Sequence, residues 1–98
     1  MSEVFIIRFR TRPEQTEAFA ATLPYVKREL SAVEGCSDVQ VFRDEREPDR
    51  FSLVERWESK AHHERHMEGV MASGRWQQIL DQLAEPPESS YFVEIGVT

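Results

Sequence analysis

At 98 residues and 11.5 kDa the chain has room for one domain, expected over residues 1–98, with a small core that a partner subunit would help. Hydrophobic residues make up 40% and charged residues 31%, which is too apolar for a disordered chain. Lys and Arg number 12 against 18 Asp and Glu, and the resulting net charge of −6 with no basic block repels phosphate; no nucleic acid and no membrane surface is expected as a partner.

Val4 to Arg10 is rich in β-branched and aromatic residues and predicts a strand, with Val4, Ile6 and Arg8 on one face and Phe5, Ile7 and Phe9 on the other. Thr11 then offers a helix cap, and Pro13 and Glu14 suit a first turn. From Glu14 to about Val33 the apolar residues Phe19, Leu23, Val26, Leu30 and Val33 recur every three or four positions and define one helical face. Pro24 inside that pattern predicts a kink or two short helices, and Gly35 closes the segment. Ser37–Arg43 and Phe51–Glu58 predict a hairpin around the charged loop Asp44–Arg50. Ser59 caps a helix starting at Lys60, and a further helix places Trp76, Ile79, Leu80 and Leu83 together before Pro86 and Pro87 stop it. Tyr91–Val97 predicts the last strand.

The order strand–helix–strand–strand–helix–strand is the ferredoxin-like βαββαβ arrangement, an α+β fold with an antiparallel sheet. Its helices cover one sheet face only, yet the first strand is apolar on both, and the last sets Phe92 opposite Tyr91, Val93, Ile95 and Val97. A second copy is the simplest cover, so a homodimer is expected. The lone Cys36 excludes an internal disulfide, and no stretch reads as a signal peptide or membrane span, so a cytoplasmic setting is expected.

From Phe51 the chain runs Phe-Ser-Leu-Val-Glu55-Arg-Trp57-Glu-Ser59, with His66 nine residues after Trp57. With the Glu34–Cys36 turn, the D-x-x-x-P-D-x-F loop at Asp44–Phe51 and the aromatic last strand, this pattern resembles the antibiotic biosynthesis monooxygenase (ABM) family over nearly the whole chain. The resemblance implies a dimeric α/β barrel of two ferredoxin-like sheets packed face to face. It also implies a family whose reactions range from oxidation of quinols and polyketide phenols without metal or flavin, through haem degradation, to isomerisation of a phosphorylated signal. Relative to the haem-degrading branch, Ile7 (or Arg8), His66 and Trp76 stand where an Asn, a Trp and an axial His are used, and the chain has no Asn at all.

Oxygenation without a cofactor needs a base, flat aromatic walls and an apolar cavity, because triplet oxygen takes an electron readily only from an electron-rich anion. His66, at the family's motif position, is the expected base; the structural alternative is a helix-face histidine bonded to a neighbour. Trp57, with Trp76 or Tyr91, is the expected ring wall, against plain core packing for both tryptophans. Glu55 is a proton shuttle or else a buried ion-pair partner of Arg8. Tyr91 and Tyr25 are candidates to orient a phenolic oxygen, whereas His62 and His63 read as solvated surface and Cys36 as a small buried residue. His62 and His66 share a helix face, but no third ligand is evident and no metal or other cofactor is expected. The leading expectation is oxidation of a quinol or polyphenol by oxygen. The alternatives are acid–base isomerisation or degradation of a small metabolite by His66 and Glu55 between polar walls such as Arg8 and Arg43, and a non-enzymatic ligand-binding dimer in a stress response, its pocket shallow or filled by Trp57 and Trp76.

Overall fold

The structure, a computed structural model, describes residues 3–96. Four strands, β1 (Glu3–Arg10), β2 (Cys36–Arg43), β3 (Arg50–Trp57) and β4 (Glu88–Phe92), form one antiparallel sheet in the order β2-β3-β1-β4. Helices α1 (Thr16–Ser31), α2 (Lys60–Ala72) and α3 (Arg75–Leu80) complete the expected ferredoxin-like α+β arrangement.

Strand alternation decides which side the helices cover. Phe5, Ile7 and Phe9 of β1 are buried with Leu53 and Phe51 of β3 and Phe19, Leu23 and Leu30 of α1. The other face carries Val4, Ile6 and Arg8, in register with Arg56, Val54 and Ser52, and lies open. On that open face Phe42 is 52% and Phe92 44% exposed.

The helix expected from Glu14 begins instead with a 3-10 turn at Pro13–Gln15. Thr11 does not cap it: its buried hydroxyl pairs with that of Thr16 at 2.8 Å and ties β1 to α1. Pro24 lies inside α1, which runs through it as one helix rather than two. The hairpin matches expectation, its loop held by the Asp44 carboxylate accepting from the backbone N–H of Arg46 and Glu47 at 2.8 Å each. Leu83 is not on α3 but beyond it, buried where its backbone bridges Thr11.

The last strand differs most. It occupies Glu88–Phe92, so Val93 and Ile95 lie outside it, and Ile95 is 97% exposed. Val97 lies outside the described residues. The cause is β1, whose pairing to β4 begins at Val4↔Phe92 and runs back to Arg8↔Glu88. Backbone pairing recruits the polar Glu88-Ser89-Ser90 and leaves Val93 and Ile95 without a partner strand.

Candidate functional site

A cavity of about 410 Å³ lies between the covered sheet face and the three helices. Its walls are largely apolar, with Phe5 and Ile7 from β1, Leu30 from α1, Val70 from α2 and Trp76 and Ile79 from α3. Polar groups enter from few directions: Glu55 from β3, Ser89 from β4, His63 and His66 from α2, and the Glu29–Arg75 pair joining α1 to α3. This volume exceeds the ~300 Å³ at which small-molecule sites begin.

Helix α2 starts where Ser59 accepts a hydrogen bond from the His62 backbone N–H at 3.3 Å. From that start His63, His66, Met67 and Val70 fall on the face turned to the sheet. His63 is therefore buried, at 5% exposure, rather than a surface residue. Its ring centroid lies 4.0 Å from that of Phe5 and 5.4 Å from that of Trp57. Its Nδ1 is 2.6 Å from the Tyr91 hydroxyl. Burial, helped by neighbouring His66, pushes its pKa down to about 4, so the ring is neutral at pH 7. The sequence signal was the spacing of three and four from His63 to His66 and Met67, which extends the apolar face of α2 backwards.

His66 is half-buried on the cavity wall. Burial and then the Arg75 charge lower its pKa, while Glu29 opposes them. A neutral imidazole beside a cavity is in the form that accepts a proton. His62 turns away: its Nδ1 lies 2.7 Å from the Ser59 hydroxyl, and its ring packs against Gly35. Among the described residues no group of three or more His, Cys, Asp or Glu side chains is placed to hold a metal ion.

Trp57 is entirely buried, at 0% exposure, and lies outside the cavity lining. Its ring sits behind those of His63 and His66, at centroid distances of 5.4 and 5.6 Å. Its Nε1 donates to Glu55 Oε1 at 2.9 Å. Glu55 thus has an indole partner and not Arg8, which projects from the opposite sheet face because residues of β1 alternate. Burial raises the Glu55 carboxyl above its usual range, and the Trp57 bond offsets part of that. Tyr91 stands behind His63, its own pKa raised by burial and by nearby carboxylates. Of the expected aromatic wall, then, Trp76 reaches the cavity, and Phe5, Phe9 and His63 take the places assigned to Trp57 and Tyr91. Tyr25 is exposed on α1 under Arg28, and half-buried Cys36 has its thiol pKa raised by burial.

Arg8 and Arg43 line a second, polar cavity of about 420 Å³ at the hairpin end of the sheet. Acidic groups already occupy much of its charge: Arg43 bonds Glu17 at 2.6 Å, and Arg10 lies among Glu47, Asp49 and Glu85.

By its sheet and helices the chain is a small α+β protein of ferredoxin-like type, with a ligand-sized space, partly open, beneath the helices. The antibiotic biosynthesis monooxygenase family model matches residues 4–85, and the chain belongs to that family. Solved structures share the fold: Rv0793 from Mycobacterium tuberculosis superposes with a TM-score of 0.85 at 20% identity, covering 99% of this chain and 98% of its own. A conserved protein from Methanosarcina mazei gives 0.82 at 16% identity over 94% of this chain and 91% of its own. PA3566 from Pseudomonas aeruginosa gives 0.82 at 19% over 97% and 95%. No curated protein matches the chain. No helix among the described residues is long and apolar enough to cross a membrane.

Proposed function

We propose that the protein oxidises a phenolic or quinol-type aromatic molecule with oxygen inside the apolar cavity, His66 acting as the base. The observation that carries this reading is the pairing of an apolar space of about 410 Å³ with a half-buried histidine whose pKa is lowered, so that it is unprotonated near neutral pH. Deprotonation of the ring hydroxyl makes the electron-rich anion that oxygen can oxidise, and apolar walls keep water from the intermediate. For a naphthol unsubstituted para to its hydroxyl the balance closes without another reductant. One oxygen atom becomes the new ring carbonyl, and the other leaves as water with the hydrogens lost from O–H and C–H. A quinol instead gives the quinone and hydrogen peroxide.

An isomerase acting through His66 and Glu55 needs polar walls, and Arg8 and Arg43 belong to the other cavity. A pocket filled by Trp57 and Trp76 is at odds with the open volume between sheet and helices. The exposed sheet face, with Phe42 and Phe92, supports a homodimer formed through that face, and the family's reactions support oxygenase chemistry.

The test is oxygen uptake by the metal-stripped protein with a panel of naphthols and hydroquinones. Uptake above the rate without protein is expected, falling about 100-fold in His66→Ala. A loss of less than twofold removes His66 from the mechanism, and no uptake across the panel overturns the oxygenase reading.

A further inference from the structure

The histidine that the oxygenase reading does not use, His63, has the more defined surroundings. It lines the cavity, packs on Phe5 and Trp57, and has its Nδ1 2.6 Å from the Tyr91 hydroxyl. Among the described residues its Nε2 takes no hydrogen bond, yet it is not sealed from solvent as Arg10 Nε is. On His63, whose ring lines the cavity, the nitrogen left without a partner is therefore Nε2.

We propose that Tyr91 fixes the His63 tautomer, so that Nε2–H is a neutral hydrogen-bond donor reading a carbonyl or phenolate oxygen on a planar apolar ligand. A phenol hydroxyl is a stronger acid than a neutral imidazole N–H, and an imidazole nitrogen is a stronger base than a phenol oxygen. Tyr91 therefore donates to Nδ1, which leaves the proton on Nε2. Burial keeps the Tyr91 hydroxyl protonated and the His63 ring uncharged, in agreement with this tautomer. Phe5 and Trp57 hold the ring plane, so the donor direction is set before a ligand arrives.

The walls select the rest of the ligand. Arg75 is the cation lining this cavity among the described residues, and Glu29 already engages it. A carboxylate or phosphate would meet no free cation, and would lie near Glu55. An oxygen whose charge spreads into a ring suits one neutral donor in an apolar space. Tyr91 is here a positioning residue, and His63 a residue that touches the ligand. The inference deepens the oxygenase reading, resting on the same cavity as the ligand site.

The probes are 1-tetralone and its hydrocarbon counterpart tetralin, which differ by the carbonyl that the donor would read. In the wild-type protein, long-range proton–nitrogen NMR is expected to show His63 protonated on Nε2, and bound 1-tetralone to show a lowered carbonyl stretch. The wild type should favour tetralone over tetralin roughly tenfold more than His63→Phe does. Tyr91→Phe should populate both tautomers and weaken the carbonyl shift while leaving tetralin binding unchanged. A proton on Nδ1, an unshifted carbonyl, or no tetralone binding overturns the donor assignment. The wild-type measurements decide even where a variant fails to fold. Neither probe consumes oxygen: a shifted carbonyl without uptake on naphthols would sink the oxygenase reading alone, and uptake with an unshifted carbonyl would sink the donor alone.

Discussion

His63 shows how one side chain couples packing to pH. Folded, it takes a proton only near pH 4; its usual value, which the unfolded chain approaches, is 6.5. Between those values the unfolded chain binds a proton that the folded one refuses, so acidification from 6.5 towards 4 removes stability, by about 3 kcal/mol at the limit. His66 on the next turn, its pKa also lowered, acts with the same sign. Glu55 opposes them, because its raised pKa costs stability above 4.5 and the cost shrinks as pH falls towards that value. Urea unfolding from pH 7 to 4 should show a net loss in the wild type and most of the slope gone in His63→Phe. Equal slopes would mean that the ring is not buried in its neutral form. Trp57 makes the complementary point, since its indole N–H satisfies the Glu55 carboxylate and its ring backs both histidines.

Elements meet at the turn between α1 and β2. Gly35 has φ +90°, a left-handed conformation, and a Cβ there would lie 2.4 Å from His62 Cδ2. Its carbonyl accepts from the Glu58 N–H at 2.7 Å, so this turn docks on the end of β3 and the start of α2. Gly35→Ala should cost about 2 kcal/mol, part from the positive φ and part from the displaced imidazole. In a His62→Ala background only the backbone share, about 1 kcal/mol, should remain. Urea midpoints of the four proteins measure both, and an equal cost in the two backgrounds would show that the imidazole contact contributes nothing. Element existence was legible because periodicities of two and of three to four are written in the chain. The end of β4 was not, since Glu88-Ser89-Ser90 carries no strand pattern and pairs only because β1 offers its edge.

At the scale of the whole molecule the open sheet face matters most. Ile6 and Val54 pair across its centre, and Phe42 and Phe92 flank it at opposite corners. A homodimer through this face leaves the cavity beneath the helices in each protomer. A charge at the centre should disrupt it: Ile6→Asp is expected to halve the mass seen by light scattering at micromolar concentration, with helix content unchanged by circular dichroism. A wild-type monomer, or an unchanged mass in the variant, would rule this interface out.

By itself the sequence determined the element order, the apolar character of both faces of β1, the hairpin turn, the Ser59 cap and the family, because each depends on local spacing or on a motif within a few residues. Tertiary structure alone decided which groups share the cavity. Arg8 and Glu55 both sit on strands at plausible reach, but strand parity puts them on opposite sides of the sheet. His62 and His63 are adjacent in the chain, yet the step of about 100° between successive helical residues sends the first to Ser59 and Gly35 and the second beneath the helix to Tyr91. A contact across 28 residues depends on where β4 comes to rest against β1, and no local pattern near His63 encodes that.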